Sequence, residues 1–284
     1  MPILTFKELK TSLFLIGLIT IVVVCLRLQF DLNWESSFMA ELSSFQKISP
    51  PNSDIYILGD SRCLFAISPN EIELKTDKKV FNLCVQHQAY TPEFFKQISN
   101  LPKSTLIITL TPLSLYSGHH FGLENLKKRS FEDLLSLFFS KINFKNWSKT
   151  LTNKQLFEKG WIGGVKTANT NPMNPVNEYE HAFKNSVPIE HSIIMAEFKR
   201  IQENGHQIIF IQMPSSKNLQ AVEGPHLEHV KELNKNLKAQ GYKFISLDKV
   251  KEGLEYFDGD HLDRMQAKKL SKFLGAQIKK ELSK

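Results

Sequence analysis

Apolar and polar positions along this chain fall into two alternating patterns. Short runs of aliphatic and β-branched residues, Ile55–Leu58, Lys79–Cys84, Thr105–Leu110, Gln207–Met213 and Tyr242–Leu247, predict five strands. Between and after them apolar residues recur at helical spacing. Helices are expected to open at Ser68-Pro69-Asn70-Glu71 and at Thr91-Pro92-Glu93, where a threonine N-cap precedes a proline in the first helical position. Further helices are expected over about 189–204, 225–240 and 263–282, the first two stopped by Gly205 and Gly241. Strands separated by helices imply right-handed crossovers and a mostly parallel sheet. The expected architecture is therefore a three-layer α/β/α, flavodoxin-like domain over residues 53–284, interrupted by an irregular insertion at about 112–185.

Ahead of this domain the pattern changes. Thr11–Leu26 carries no charge, and with Leu28 and Phe30 beyond Arg27 the apolar region approaches the roughly 20 residues needed to cross a bilayer. Residues 1–30 read as one N-terminal transmembrane helix. Lys7 and Lys10 favour a cytoplasmic N-terminus and an exported body, and Arg27 can snorkel to the interface. No small-x-small cleavage site follows, and Val22-Val23-Val24 lacks the small residue that precedes a lipoprotein cysteine at Cys25, so an uncleaved anchor is expected. Residues 31–52, ending in Pro50-Pro51-Asn52, read as a linker that lifts the domain off the membrane.

Two segments carry the candidate chemistry. The first strand runs into Gly59-Asp60-Ser61-Arg62, which puts a serine on a tight turn at the carboxyl end of a strand, where open α/β sheets collect reactive groups. Some 200 residues later stands Asp258-Gly259-Asp260-His261. An aspartate three residues before a histidine can take one ring nitrogen and leave the other as base. Asp60 is read as stabilising the turn. Asp258, Asp260, His261 and Asp263 also make an oxygen-rich cluster of the kind that can hold a metal, but their spacing lacks the calcium-loop pattern. No metal and no cofactor is expected.

Gly59-Asp60-Ser61 together with Asp258-x-x-His261 resembles the SGNH (GDSL-type) serine hydrolases, and particularly their membrane-anchored envelope branch of acyl esterases and O-acyltransferases. The resemblance implies Ser61 as nucleophile, His261 as base and Asp258 as orienter. It departs at the oxyanion hole. Where many members have Asn-Leu-Gly-x-x-Gly, this chain has Asn82-Leu83-Cys84-Val85-Gln86-His87, and the family's asparagine after the third strand is replaced around Thr111. Backbone N–H groups near Gln86 or His87 and the Thr111 hydroxyl are the substitute donors, with His87 also a candidate for substrate contact. Arg62 is read either as a site for an anionic substrate group or as one half of a structural ion pair. His119 and His120 are weaker substrate candidates, and Phe131, Phe138, Phe139 and Phe144 read as a core-facing helix stripe.

The net charge of +7 comes from scattered lysines without a basic-aromatic array, which sets nucleic acid aside and leaves a solvated surface or an anionic partner such as lipid headgroups. Three cysteines make no disulfide framework; Cys63 and Cys84 fall near strand ends where they could approach, and they are read as packed thiols. The resulting expectation is a single-pass, exported serine esterase or O-acyltransferase acting on a cell-envelope glycan, with an integral membrane acyltransferase as a possible partner. The alternative is a catalytically idle domain of the same fold that binds glycan or scaffolds an envelope assembly. A cytoplasmic-facing lipase or thioesterase is the third reading.

Overall fold

Ile55–Leu58 forms β1, four residues buried on both faces in the interior of the sheet. The computed structural model describes residues 51–85, 88–118, 157–159, 161–162, 174–247, 249–251, 253–256 and 258–283. They belong to one unit of the chain, Ser49–Asn143 with Lys154–Lys284. The expected anchor at 1–30 and the linker at 31–52 up to residue 50 lie outside the described residues, as do His119, His120 and the phenylalanine stripe. Among the described residues, no helix is long and apolar enough to cross a membrane.

Beside β1 lie β2 (Val80–Asn82), β3 (Thr105–Leu110), β4 (Gln207–Gln212) and β5 (Lys243–Ile245). They form one sheet in the order β2-β1-β3-β4-β5. Every pairing is parallel, with Ile57 opposite Asn82 and Ile107, Ile107 opposite Ile209, and Ile211 opposite Ile245. Strands covered on both faces need apolar residues at every position, which is why β1 and the centre of β4 read as unbroken apolar runs. The helices are α1 (Ser61–Ala66), α2 (Pro69–Thr76), α3 (Pro92–Ser99), α4 (Asn174–Lys184), α5 (His191–Glu203), α6 (Lys217–Glu223), α7 (Leu227–Ala239) and α8 (Arg264–Leu282).

The two faces of the sheet are packed differently. Ile55, Ile57, Ile107, Ile209 and Ile211 meet Leu64, Ile72, Leu270 and Leu274 of α1, α2 and α8 in an aliphatic layer. α8 and α2 approach closely at Gly275, where a Cβ would lie 2.9 Å from the Lys75 side chain. The opposite face is aromatic: Phe210 stacks on Phe244 and meets Phe198 of α5 edge-on, and Phe198 in turn packs against Tyr90 and Phe95. Helices on both faces of a parallel sheet make the expected α/β/α sandwich.

One expectation needs correcting. The stretch at about 112–185 is not irregular throughout. A 3-10 turn at Leu113–Leu115 and the helix α4 lie within it, and Tyr116–Ser117 pairs with Val187–Pro188 just beyond. The signal for α4 was present, since its buried residues Val176, Tyr179, Ala182 and Phe183 recur at helical spacing. The short helix α6 was also missed, because only one turn of it faces the core.

Candidate active site

In chain order the sheet grows from β1 outward to β2 on one side and then to β3 on the other. Between β1 and β3 the direction reverses, and beyond the carboxyl ends of such a pair the diverging loops leave a crevice. Gly59-Asp60-Ser61 sits there. Gly59 is required by close approach: a Cβ at this position would lie 1.8 Å from the Thr109 hydroxyl oxygen on β3. That hydroxyl donates to the Leu58 carbonyl at 3.3 Å. Asp60 caps α1, one carboxylate oxygen accepting the Arg62 backbone N–H at 3.1 Å and the other the Thr111 hydroxyl at 2.5 Å. Burial pushes the Asp60 carboxyl above its usual range, and Arg62 and Thr111 only partly oppose this. Ser61 is thus the first residue of a helix whose cap is tied to the neighbouring strand.

The next turn of α1 is cross-linked. Cys63 is joined by a disulfide to Cys84, just beyond β2, with Cα atoms 5.9 Å apart, so these two are not the packed thiols expected. Asn82 reinforces the link, donating to the Ile67 carbonyl at 3.0 Å and accepting the Cys84 N–H at 2.9 Å. The position that holds glycine in the resembling family therefore serves here as half of a covalent tie to the serine helix.

Arg62 is 2 % exposed and surrounded by acceptors. Its Nε donates to Asp260 Oδ1 at 2.6 Å and its Nη2 to Glu223 Oε1 at 2.5 Å, while Nη1 reaches Ser215 Oγ at 3.1 Å. The Tyr179 hydroxyl donates to the other oxygen of Asp260 at 3.0 Å, and its ring lies under the guanidinium. Arg62 is accordingly an ion-pair residue, its buried guanidinium engaged by Asp260, Glu223 and Ser215. Burial drives the Asp260 pKa upward, but Arg62 and His261 outweigh it and hold this carboxylate below its usual range. At Glu223 burial prevails over Arg62, and the pKa is raised.

The second candidate segment forms a tight turn against the first. Asp258 Oδ1 accepts the backbone N–H groups of Asp260 and His261 at 2.9 and 2.8 Å, and its Oδ2 lies 2.7 Å from His261 Nδ1. Gly259, at φ +94°, permits the turn. Asp258 engages Nδ1, and Asp260 Oδ2 lies 3.5 Å from Nε2. Burial would lower the His261 pKa, yet Asp260 and Asp258 together raise it above the ordinary value. At Asp258 burial acts upward, and the bond to His261 brings the carboxyl below its normal range. The imidazole packs on Phe65, four residues after Ser61 in α1, at 4.5 Å between ring centroids.

The two motifs thus meet at two points, Arg62 with Asp260 and Phe65 with His261. Thr111 is corrected as an oxyanion donor: it is fully buried and its hydroxyl proton is directed at Asp60. Gln86 and His87 lie outside the described residues. Tyr179, Ser215 and Glu223 were missed, being polar residues in segments without a motif. Ser216, whose hydroxyl donates to the Gly259 carbonyl and anchors the Asp258 turn, was missed for the same reason.

The 2-1-3-4-5 parallel sheet, the serine opening the helix after β1 and the Asp-x-x-His turn just before the last helix together make a flavodoxin-like α/β/α arrangement that carries both candidate motifs at one end. Similar solved structures are the inhibitor-bound form of the M. smegmatis aryl esterase (10 % identity, 80 % of this chain and 98 % of that one, TM-score 0.38) and Est24, a carbohydrate acetylesterase from Sinorhizobium meliloti (11 %, 79 % and 97 %, TM-score 0.38). A carbohydrate acetylesterase family member from the same organism is similar to the same degree (11 %, 81 % and 100 %, TM-score 0.38). No family model and no curated protein matches the chain.

Proposed function

We propose that the chain is a serine ester hydrolase or O-acyltransferase acting on acyl groups of a cell-envelope glycan. The observation that carries this reading is the Asp258–His261 pair, at 2.7 Å, docked through Phe65 on the helix that Ser61 opens. In the proposed reaction His261 Nε2 takes the Ser61 hydroxyl proton as Oγ attacks the acyl carbonyl. The tetrahedral adduct collapses, the C–O bond to the leaving alcohol breaks, and His261 returns the proton to that alcohol. An acyl-serine remains. Water or a sugar hydroxyl, deprotonated by the same imidazole, then attacks it and frees Ser61. Asp258 stabilises the imidazolium formed in each half.

The Cys63–Cys84 disulfide supports an oxidising compartment, and hence an exported body held by the apolar segment at 1–30. A second reading, an idle binding or scaffold domain, is favoured by one observation: the Thr111 hydroxyl donates to Asp60, so it cannot take the place of a lost oxyanion donor.

Fluorophosphonate labelling of the full chain in detergent separates the two. Covalent labelling of the wild type, abolished in Ser61→Ala and in His261→Ala, is the expected result. A folded wild type that takes no label sinks the enzymatic reading. Protease accessibility of the C-terminal body in intact cells tests its export.

A further inference from the structure

Away from the serine helix, two helices bring a second set of histidines together. His191 is the first residue of α5, and His229 and Glu232 lie three residues apart on one face of α7. The two imidazoles are 4.0 Å apart at their centroids and inclined by 30°. One ligand atom from each of His191, His229 and Glu232 lies within 4.8 Å of the others.

Side-chain hydrogen bonds do not hold the three residues to one another. His191 Nδ1 and Glu232 Oε2 are 3.9 Å apart, too far for a hydrogen bond. His191 Nε2 is buried and has no hydrogen-bond partner. A buried ring nitrogen without a partner marks a ring that the protein alone does not satisfy, and the nitrogen that faces Glu232 is the other one, Nδ1. His229 is oriented as a metal-binding imidazole usually is: its Nε2 faces the Ile189 carbonyl at 3.3 Å. A carbonyl only accepts, so Nε2 carries the proton and Nδ1 keeps its lone pair. The neighbouring His226, by contrast, is engaged through its Nδ1 by the Tyr116 hydroxyl at 2.8 Å.

We infer that His191, His229 and Glu232 form a binding site for a divalent transition-metal ion, with zinc the preferred occupant. Two imidazoles and one carboxylate suit zinc, whereas calcium and magnesium take oxygen ligands. Tetrahedral bonds of about 2.0–2.2 Å place ligand atoms roughly 3.4 Å apart, so the cluster has only to contract. Glu232, with its side chain 68 % exposed, can swing inward, and the exposed side leaves room for water as fourth ligand. Such an ion clips the start of α5 to the first turns of α7. It is independent of the esterase proposal, since none of its ligands belongs to the Ser61–His261 site.

The test is calorimetric titration of zinc into the full chain, solubilised in detergent, freed of any affinity tag and stripped with chelator. One equivalent should bind, with Kd below about 10 μM, and the thermal midpoint should rise with zinc concentration. His191→Ala and His229→Ala should each weaken binding by at least about tenfold, while His181→Ala, in the exposed part of α4, leaves it unchanged. Cobalt(II) should give the visible bands of a tetrahedral site in the wild type and not in His229→Ala. Should His191→Ala prove unstable, Glu232→Gln at its exposed position carries the test and should also weaken binding. No zinc uptake by the wild type, or equal affinity in Glu232→Gln and His229→Ala, overturns the inference.

Discussion

Asp258 and Asp260 are two residues apart, yet they are buried to different depths and tied to different partners. The Asp260 side chain is 2 % exposed, fixed by Arg62 and Tyr179, and part of a buried network that includes Glu223. Asp258 is 19 % exposed, and its partners are two N–H groups of its own turn and the ring of His261. The first carboxylate joins segments 198 positions apart in sequence and belongs to the stability of the fold. The second joins nothing distant; it sets the tautomer and orientation of one imidazole. Similar side chains on one turn thus divide into one that ties distant segments together and one that orients a neighbouring imidazole, according to how much water reaches them and whether a buried cation must be matched.

That division breaks most visibly at Arg62. Arg62→Ala leaves two buried carboxylates without their cation and should cost about 3–5 kcal/mol in urea unfolding. Asp258→Asn should cost about 1–2 kcal/mol while reducing the rate of fluorophosphonate labelling by about four orders of magnitude. If both variants lose stability equally, the two carboxylates do not differ as described.

The cross-link sharpens the same contrast, because it ties the serine helix to the end of β2 through Cys63, next to the Arg62 that pairs with Asp260. Closing a loop with a sequence separation of 21 residues should contribute about 3 kcal/mol, lost in the Cys63→Ser/Cys84→Ser double variant. Thiol titration of the denatured, unreduced wild type should find Cys25 alone; three reactive thiols would show the bridge absent.

The smallest effect is read in pH. Because the two aspartates raise the His261 pKa, labelling should increase with pH through a midpoint above 6.5, as neutral imidazole forms. Asp258→Asn and Asp260→Asn should each move that midpoint down. A raised histidine stabilises the fold fully below its unfolded value and ceases to as pH climbs through the folded one. The depressed carboxylates Asp258 and Asp260 act in the opposite sense: their contribution is present above about 3.8 and is lost as pH falls through their folded values. Unfolding free energies measured across both windows check the signs.

Much of this was legible in the residues alone. The five strands, the helix starts at Pro69 and Pro92 and the stop at Gly205 follow from local pattern and backbone chemistry, which act over a few residues. The Asp258–His261 bond was legible for the same reason: a three-residue spacing places the carboxylate beside the ring without help from elsewhere. The fate of Arg62 was not. A guanidinium beside a candidate nucleophile suits a substrate anion or an ion pair equally well in sequence. Only α6 and the Asp258 turn, folded over it, supply the carboxylates and exclude the water. Thr111 was misread for a related reason, because its hydroxyl is directed by an aspartate on a neighbouring strand's turn.

The sequence by itself determined where strands and helices form and which residues carry reactive groups, since those depend on short-range periodicity and side-chain chemistry. Tertiary structure alone decided which polar groups are buried, which cysteines meet, and which carboxylate is matched by a buried arginine. Those outcomes depend on desolvation and on contacts between segments far apart in the chain, and neither quantity exists until the chain is folded.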